Sequence, residues 1–214
     1  MLPGAAGRKF GVYDRSVELA TAFVLAGGKS SRMGADKAFL ELGGRTLLAR
    51  ALEVAAAAAF EVRIVGDKAK FAPFGKVVND IYPGCGPLGG IHAALMSTTT
   101  GSNVMLAVDL PFIGCNFLQY LLAESVRAKA VVTVPRIGGV LQPLCAVYRK
   151  EFAGVAALSL AAGQYKVGAL FPEVNTRVIE EHELTKAGFG PETFANLNTP
   201  QQWEEAKFDG GKRR

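Results

Sequence analysis

The chain has 214 residues, half of them hydrophobic, and a formal net charge of +5. This length and composition suit a single domain with a full-sized hydrophobic core. The basic residues form no stripe interleaved with aromatic residues, which argues against a nucleic-acid-binding protein. No apolar run approaches the length of a membrane span or of a signal peptide, so we expect a cytoplasmic protein that does not contact membranes.

The two ends of the chain lack the periodicity of regular structure. Residues 1–19 mix glycine, arginine, lysine and serine, and residues 208–214 end in a Gly-Gly-Lys-Arg-Arg run. We predict a disordered tail at the amino end and a basic tail at the carboxyl end. Residues 20–207 then form the domain.

The three cysteines are far apart in the sequence and form no Cys-x-x-Cys pair: Cys85, Cys115 and Cys145. This pattern argues against a zinc site and against a disulfide framework. We expect small buried side chains in a reducing compartment.

The first predicted element is an apolar strand that includes residues 22–25 and runs directly into two glycines. Because Gly27 and Gly28 lack a Cβ, they can adopt positive φ and bring main-chain N–H groups close to anionic oxygens. Arg32 and Lys37 add positive charge in the same stretch. This arrangement suits the phosphates of a nucleotide, although strand-to-glycine turns are also common in α/β proteins without such a ligand.

The spacing of the glycines excludes two familiar phosphate-binding motifs. A Walker A loop needs a glycine five residues before Gly28, where this chain has Phe23. The dinucleotide fingerprint needs a glycine two residues after Gly27, where this chain has Lys29. Neither a P-loop NTPase nor a Rossmann dehydrogenase fits.

Apolar strands alternate with helical patterns along the rest of the chain. Helices are predicted over 47–59 and 91–96, and strands over 62–65, 76–78, 104–108, 130–134 and 144–148. This alternation predicts a single α/β domain with a mostly parallel twisted sheet and helices on both faces. Ligands of such sheets bind at the carboxyl ends of the strands. The glycine turn, Asp80 and Asp109 each follow such an end, so we expect them at one crevice.

Residues 25–37 carry a longer pattern, Leu-Ala-Gly-Gly-Lys-Ser-Ser-Arg-Met-Gly-Ala-Asp-Lys. It resembles the Leu-Ala-Gly-Gly-x-Ser-x-Arg-Met-Gly-x-Asp-Lys signature of the molybdenum cofactor guanylyltransferases, which have a Rossmann-like nucleotidyltransferase fold. Four more blocks follow in family order: Asp80 with Gly-Pro-Leu-Gly-Gly-Ile at 86–91, Asp-Leu-Pro-Phe at 109–112, Gln-Pro-Leu-Cys-Ala-Val-Tyr at 142–148, and Asn-Leu-Asn-Thr-Pro at 196–200. Related cytidylyltransferases share a looser version, so the pattern indicates the reaction class more firmly than the base.

The resemblance implies that the terminal phosphate of molybdopterin attacks the α-phosphorus of GTP and releases pyrophosphate. The product is the molybdopterin guanine dinucleotide. Because the attacking phosphate is already ionised, the reaction needs charge neutralisation rather than a strong base, and Mg²⁺ is the natural ion for this. Further implied partners are other cofactor-biosynthesis proteins and the molybdoenzyme apoproteins or their chaperones.

Two other functions stay open at this stage. In the first, the chain transfers another nucleotide, such as CMP, to molybdopterin or to another phosphorylated small molecule. In the second, the chain is a non-catalytic nucleotide-binding module that has kept the fold.

By resemblance, Asp109 is the magnesium ligand, Lys37 and Arg32 neutralise phosphate oxygens, and Asp80 lies near the nucleotide. The residue types also allow structural roles. An aspartate after a strand can cap a helix or turn, an Asn-Asp sequence favours a turn, and a lysine can simply be solvated.

The remaining family positions fall into two groups. The family positions near the guanine and its phosphates correspond to Leu25, Ala26, Gly27, Gly28 and Gly86. The family positions on the pterin side of the cleft correspond to Gln142, Asn196 and Asn198. The last two asparagines also precede Thr199 and Pro200, a sequence typical of a helix start, with Trp203 predicted to pack inward.

Overall fold

The computed structural model of the chain describes residues 19–27 and 36–196. Several predictions lie outside these residues: the tails at 1–18 and 208–214, the helix after Thr199, and the proposed contacts of Gly28, Arg32 and Asn198.

Within these ranges the chain forms strands, α-helices and short 3₁₀-helices. The strands are β1 (Ala20–Leu25), β2 (Glu41–Leu42), β3 (Arg45–Thr46), β4 (Glu61–Val65), β5 (Val77–Val78), β6 (Ser102–Ala107), β7 (Val132–Ile137), β8 (Val140–Leu141), β9 (Cys145–Arg149) and β10 (Thr176–Ile179). The α-helices are α1 (Leu47–Ala58), α2 (Lys68–Phe71), α3 (Gly86–Ser97), α4 (Cys115–Ala128), α5 (Phe152–Ala161) and α6 (Glu181–Lys186). The 3₁₀-helices are Lys37–Phe39, Ala72–Phe74, Val167–Glu173 and Pro191–Phe194. Among the described helices, none combines the length and the apolar character needed to cross a bilayer.

The main sheet has the strand order β10-β7-β9-β6-β1-β4-β5, and β8 pairs with the end of β7. Strand β1 is parallel to both β4 and β6, and β7 is parallel to β10. Only β9, inserted between β6 and β7, runs antiparallel to its neighbours in this order. The predicted α/β fold with a mostly parallel sheet is therefore confirmed.

The antiparallel direction of β9 follows from a turn that the sequence analysis did not identify. Gly138 and Gly139 separate β7 from β8, and both have positive φ. A two-residue turn of this kind reverses the chain into antiparallel pairing. The chain therefore returns along β7 and enters the sheet from its carboxyl edge.

The sheet is covered on both faces because its central strands are apolar at successive positions. In β1, Ala22 and Val24 lie in one hydrophobic cluster, with side chains of α1 and α4. Phe23, between them, lies in the other cluster, with side chains of α3 and α5. Alternate strand side chains point to opposite faces, so a continuous apolar strand requires this double cover.

Helix α1 shows how the sequence sets an element boundary. The hydroxyl of Thr46 accepts a hydrogen bond from the main-chain N–H of Ala49, which caps the helix. The predicted helix is confirmed, except that Ala59 is its C-cap residue rather than part of the helix.

Candidate active site

Three of the predicted site segments that the structure describes lie at the carboxyl edge of the sheet. Leu25, the last residue of β1, pairs with Val65 of β4 and with Ala107 of β6. Val65 pairs in turn with Val78, the last residue of β5. These parallel strands end together, so the turn after β1, Asp80 and Asp109 share one edge, as predicted.

A charged contact joins two of these segments. The ammonium nitrogen Nζ of Lys37 donates a hydrogen bond to Oδ2 of Asp109 over 3.1 Å. Their side chains are 19% and 28% exposed, respectively. Partial shielding from water strengthens such a pair while leaving both groups accessible to a ligand.

Lys37 is held in place by its neighbours in the sequence. It begins the 3₁₀-helix Lys37–Phe39, and the carboxylate of Asp36 accepts a hydrogen bond from the N–H of Ala38 over 3.0 Å. Ala38 is fully buried, and the ring of Phe39 stacks on that of Phe71 at 5.9 Å. The main chain at Lys37 is therefore fixed on two sides.

Asp36 is a positioning residue that the sequence analysis did not single out. Besides capping the 3₁₀-helix, its carboxylate forms an ion pair with Lys70 of α2. An aspartate directly before a helical turn is a known capping pattern, so the signal was present in the sequence.

Asp109 follows a fully buried strand. The N–H of Val108 donates to the carbonyl oxygen of Leu25 over 3.2 Å, and the N–H of Leu110 donates to that of Ala107 over 3.3 Å. The N-cap residue of the following helix α4 is Gly114. Asp109 therefore does not cap that helix.

The glycine turn differs in detail from the expectation. The N–H groups of Ala26 and Gly27 both donate to the carbonyl oxygen of Val65, over 3.0 and 3.1 Å. Gly27 does not have positive φ. At Gly27 the turn therefore closes onto β4, and its N–H group already has a partner within the protein.

Gly66, directly after β4, is a second glycine at this edge that the sequence analysis missed. A Cβ at this position would lie 2.8 Å from the ring of Phe71, which is closer than real contacts allow. A glycine directly after an apolar strand, as at Gly27, was the available signal. It lets the ring that supports the Lys37 helix pack against the end of β4.

Asp80 has a clear structural role. Its Oδ1 atom accepts a hydrogen bond from the N–H of Tyr82 over 2.9 Å. A Cβ on Gly89 in the first turns of α3 would lie only 2.8 Å from the same oxygen. The carboxylate is thus packed against α3, and a direct role with the nucleotide stays a prediction.

Helix α3 begins at Gly86, which has a φ of 65° that favours glycine. Its side chains are largely buried, including His92. Burial lowers the pKa of His92, and the charge of Asp80 opposes this effect. The burial therefore favours the neutral form of the imidazole.

The residues predicted for the pterin side are less closely connected. Gln142 comes two residues before Leu144, whose carbonyl oxygen accepts a hydrogen bond from the N–H of Ala107 at the end of β6. Gln142 therefore lies near the same edge. Asn196 is exposed two residues after Phe194, whose ring packs edge-on against Phe117 near the start of α4. Their contacts with an acceptor stay predictions.

Cys145 lies inside the sheet. Its side chain is fully buried, and this burial raises the pKa of the thiol well above its usual range. A thiol held in this state is a poor nucleophile. The expectation of a buried apolar role is confirmed for Cys145, but it is wrong for Cys85 and Cys115, which are only half-buried.

The chain is similar to a known group of enzymes over most of its length. A family model described as the MobA-like NTP transferase domain matches residues 22–178. A protein from Pelotomaculum thermopropionicum, named probable molybdenum cofactor guanylyltransferase, is 37% identical over 88% of this chain and 92% of its own length. The molybdenum cofactor guanylyltransferase of Syntrophotalea carbinolica is 31% identical over 91% and 93%.

The fold is also similar to solved structures. The crystal structure of molybdopterin-guanine dinucleotide biosynthesis protein A from Archaeoglobus fulgidus superposes with a TM-score of 0.80 at 27% identity. The match covers 90% of this chain and 99% of that one.

Proposed function

The chain belongs to the family of MobA-like NTP transferases, and we propose that it transfers GMP from GTP to the terminal phosphate of molybdopterin. The names of its relatives support both substrates. The observation that carries the proposal is the contact between Lys37 and Asp109 at the carboxyl edge of the sheet. It brings together a cation for phosphate oxygens and a carboxylate for a metal ion, from segments far apart in the sequence.

The reaction forms one bond to phosphorus and breaks another. An oxygen of the acceptor phosphate attacks the α-phosphorus of GTP, and the bond from that phosphorus to the bridging oxygen of the β-phosphate breaks. Pyrophosphate leaves with the electron pair. Because two polyanions must meet and the leaving group gains charge, the protein mainly has to supply positive charge at fixed positions.

Lys37 provides such a charge on a short helix whose main chain is anchored by Asp36 and Ala38. In the proposed complex its ammonium group exchanges the carboxylate of Asp109 for phosphate oxygens. Arg32 is proposed to bind the same phosphates through its planar guanidinium group.

Asp109 is the proposed ligand for Mg²⁺. A hard carboxylate oxygen fits this ion, which is commonly held by one or two carboxylates, with phosphate oxygens and water as the other ligands. When bound, the ion neutralises developing charge on the phosphates. Among the described residues, no three His, Cys, Asp or Glu side chains form a group that could hold a metal ion.

We also propose that the protein works in the cytoplasm. All three of its cysteines are free thiols, which suits a reducing compartment. Contacts with other cofactor-biosynthesis proteins and with molybdoenzyme apoproteins or their chaperones stay predictions.

The proposal is tested by measuring Mg²⁺-dependent release of pyrophosphate from GTP, CTP, ATP and UTP, each with and without molybdopterin. Release from GTP that requires the acceptor is the expected result. Release from CTP and from no other nucleotide would change the assigned base from guanine to cytosine but would support the same reaction. Release from no nucleotide in the presence of verified acceptor would contradict the proposed activity.

A further inference from the structure

A cavity of about 410 Å³ lies behind the loop that carries Asp109. One wall consists of residues of α1 and of the preceding strand β3, and the other consists of residues 110–114. Val108 and Leu110, the two neighbours of Asp109, both line it. Neither Lys37 nor Asp109 is among its lining residues, so a molecule in this cavity lies beside the proposed active site and not against the reacting atoms.

Two arginines give the cavity its charge. Arg45 and Arg50 line it together with Glu53, which forms an ion pair with Arg45. Two guanidinium groups and one carboxylate leave one net positive charge. A small anion is therefore attracted to this site.

Arg50 uses little of its hydrogen-bonding capacity within the described structure. One terminal nitrogen donates to the carbonyl oxygen of Leu42 over 3.5 Å, at the limit of a hydrogen bond. Its Nε atom is buried and has no hydrogen-bond partner among the described residues. A buried donor without a partner is costly, and a planar guanidinium group suits the two oxygens of a phosphate or carboxylate.

The rest of the cavity is largely apolar. Phe112 presents an exposed ring, and Val54, Leu110 and Pro111 add aliphatic surface. Small-molecule sites commonly combine such a surface with a few polar groups that fix the orientation of the ligand. An inorganic ion leaves this surface uncovered, whereas an aromatic group covers it.

We propose that this cavity binds a small organic anion in which a phosphate or carboxylate group is attached to an aromatic or apolar body. Occupation of the site acts on Asp109 through Val108 and Leu110. The regulatory part of this proposal rests on the proposed function, but the binding part does not.

Binding is tested by calorimetric titration with phenyl phosphate, in the absence of nucleotide and acceptor. Inorganic phosphate carries only the anionic group, and benzyl alcohol carries only the aromatic ring. Both are expected to bind more weakly than phenyl phosphate. Arg50→Leu is expected to weaken phenyl phosphate binding by about tenfold or more, since a charged hydrogen bond is lost. Arg45→Leu, at an exposed position, is expected to act in the same direction without loss of the fold.

Two control variants separate this site from other effects. Lys150→Leu removes an equivalent charge from an exposed position outside the cavity lining and is expected to leave binding unchanged. Lys37→Ala should also retain binding, because Lys37 belongs to the proposed nucleotide site. No binding to the wild type, equal binding to Arg50→Leu, or loss of binding in Lys37→Ala would each overturn the proposed site.

The regulatory part is tested separately, by steady-state kinetics. Phenyl phosphate is expected to change the KM for GTP in the wild type and to have no such effect in Arg50→Leu. Binding with no change in KM would overturn the regulatory part. If the protein transfers no nucleotide at all, the calorimetric result still decides whether the site exists.

Discussion

Lys37 and Asp109 are 72 residues apart in the sequence, and their side chains are joined by a hydrogen bond of 3.1 Å. Lys37 ends the signature segment and begins a short helix, and Asp109 follows the buried strand β6. The contact therefore links the segment proposed to bind the nucleotide to the proposed metal ligand.

Asp109→Asn is expected to reduce Mg²⁺-dependent transfer by about a hundredfold or more, because the carboxylate charge that is proposed to bind the ion is lost. Steady-state rates with GTP and molybdopterin measure this effect. The fold should be retained, since the side chain is partly exposed and the amide has nearly the same shape.

The matched control is Asp67→Asn, which makes the same change just after β4. Asp67 is exposed and caps α2, and asparagine caps helices equally well. It should keep close to the wild-type rate. A fully active Asp109→Asn enzyme would remove Asp109 from the metal site.

Lys37→Ala is expected to weaken triphosphate binding and turnover together, by about 2 kcal/mol for a lost charged hydrogen bond. Calorimetric titration with GTP and initial rates give the two quantities. Lys68→Ala, at an exposed lysine on α2, should change neither. Unchanged GTP affinity and rate in Lys37→Ala would show that Lys37 acts only as a surface residue.

The same contact predicts how metal binding depends on Lys37. Without nucleotide, the ammonium group competes with a divalent cation for Asp109, so Lys37→Met is expected to bind Mn²⁺ about three to ten times more tightly. Electron paramagnetic resonance of free Mn²⁺ measures this directly. The gain should disappear in a variant that also carries Asp109→Asn, and an unchanged Mn²⁺ affinity in Lys37→Met would argue against competition.

The sequence was most informative where a pattern has one dominant physical cause. Apolar runs such as β1 require cover on both sides, and the parallel sheet places Asp80 and Asp109 at the predicted edge. The antiparallel strand β9 was not predicted in its direction, because that depends on the turn at Gly138 and Gly139.

Contacts between distant segments could not be predicted from the sequence either. Nothing local shows that the N–H of Gly27 donates to Val65, or that Arg45 and Arg50 face the loop after Asp109. These contacts depend on how helices and strands pack, and a single sequence shows that only through side-chain periodicity.

Gly89→Ala is expected to destabilise the protein by about 1–3 kcal/mol, because a new Cβ would lie 2.8 Å from the carboxylate of Asp80 and 2.9 Å from the carbonyl oxygen of Tyr82. Denaturant unfolding measures the change. Gly154→Ala in α5 is the control, since nothing lies within 4 Å of a Cβ there. It should be neutral or stabilising, as alanine favours helices. Equal stability of the two variants would show that α3 shifts without cost.

Glu183 gives a prediction for acid stability. Its pKa is lowered to about 2, chiefly by the hydrogen bond from Arg177 and then by that from the N–H of Glu180. The unfolded chain takes up this proton near the usual pKa of 4.5, whereas the folded protein resists until about pH 2. The contribution of Glu183 to the free energy of unfolding is therefore complete above pH 4.5 and is lost as the pH falls from 4.5 towards 2.

Glu183→Gln tests this by removing the titrating group while keeping the shape of the side chain. Near neutral pH the variant should unfold at lower denaturant concentration than the wild type, because the ion pair with Arg177 is gone. As the pH falls below 4.5, the difference between the two proteins should shrink, since the wild type loses the same contribution. Glu192→Gln, at an exposed position, is the matched control and should follow the wild type throughout. A stability difference that stays constant down to about pH 2 would show that the Glu183 carboxylate does not stabilise the fold through its charge.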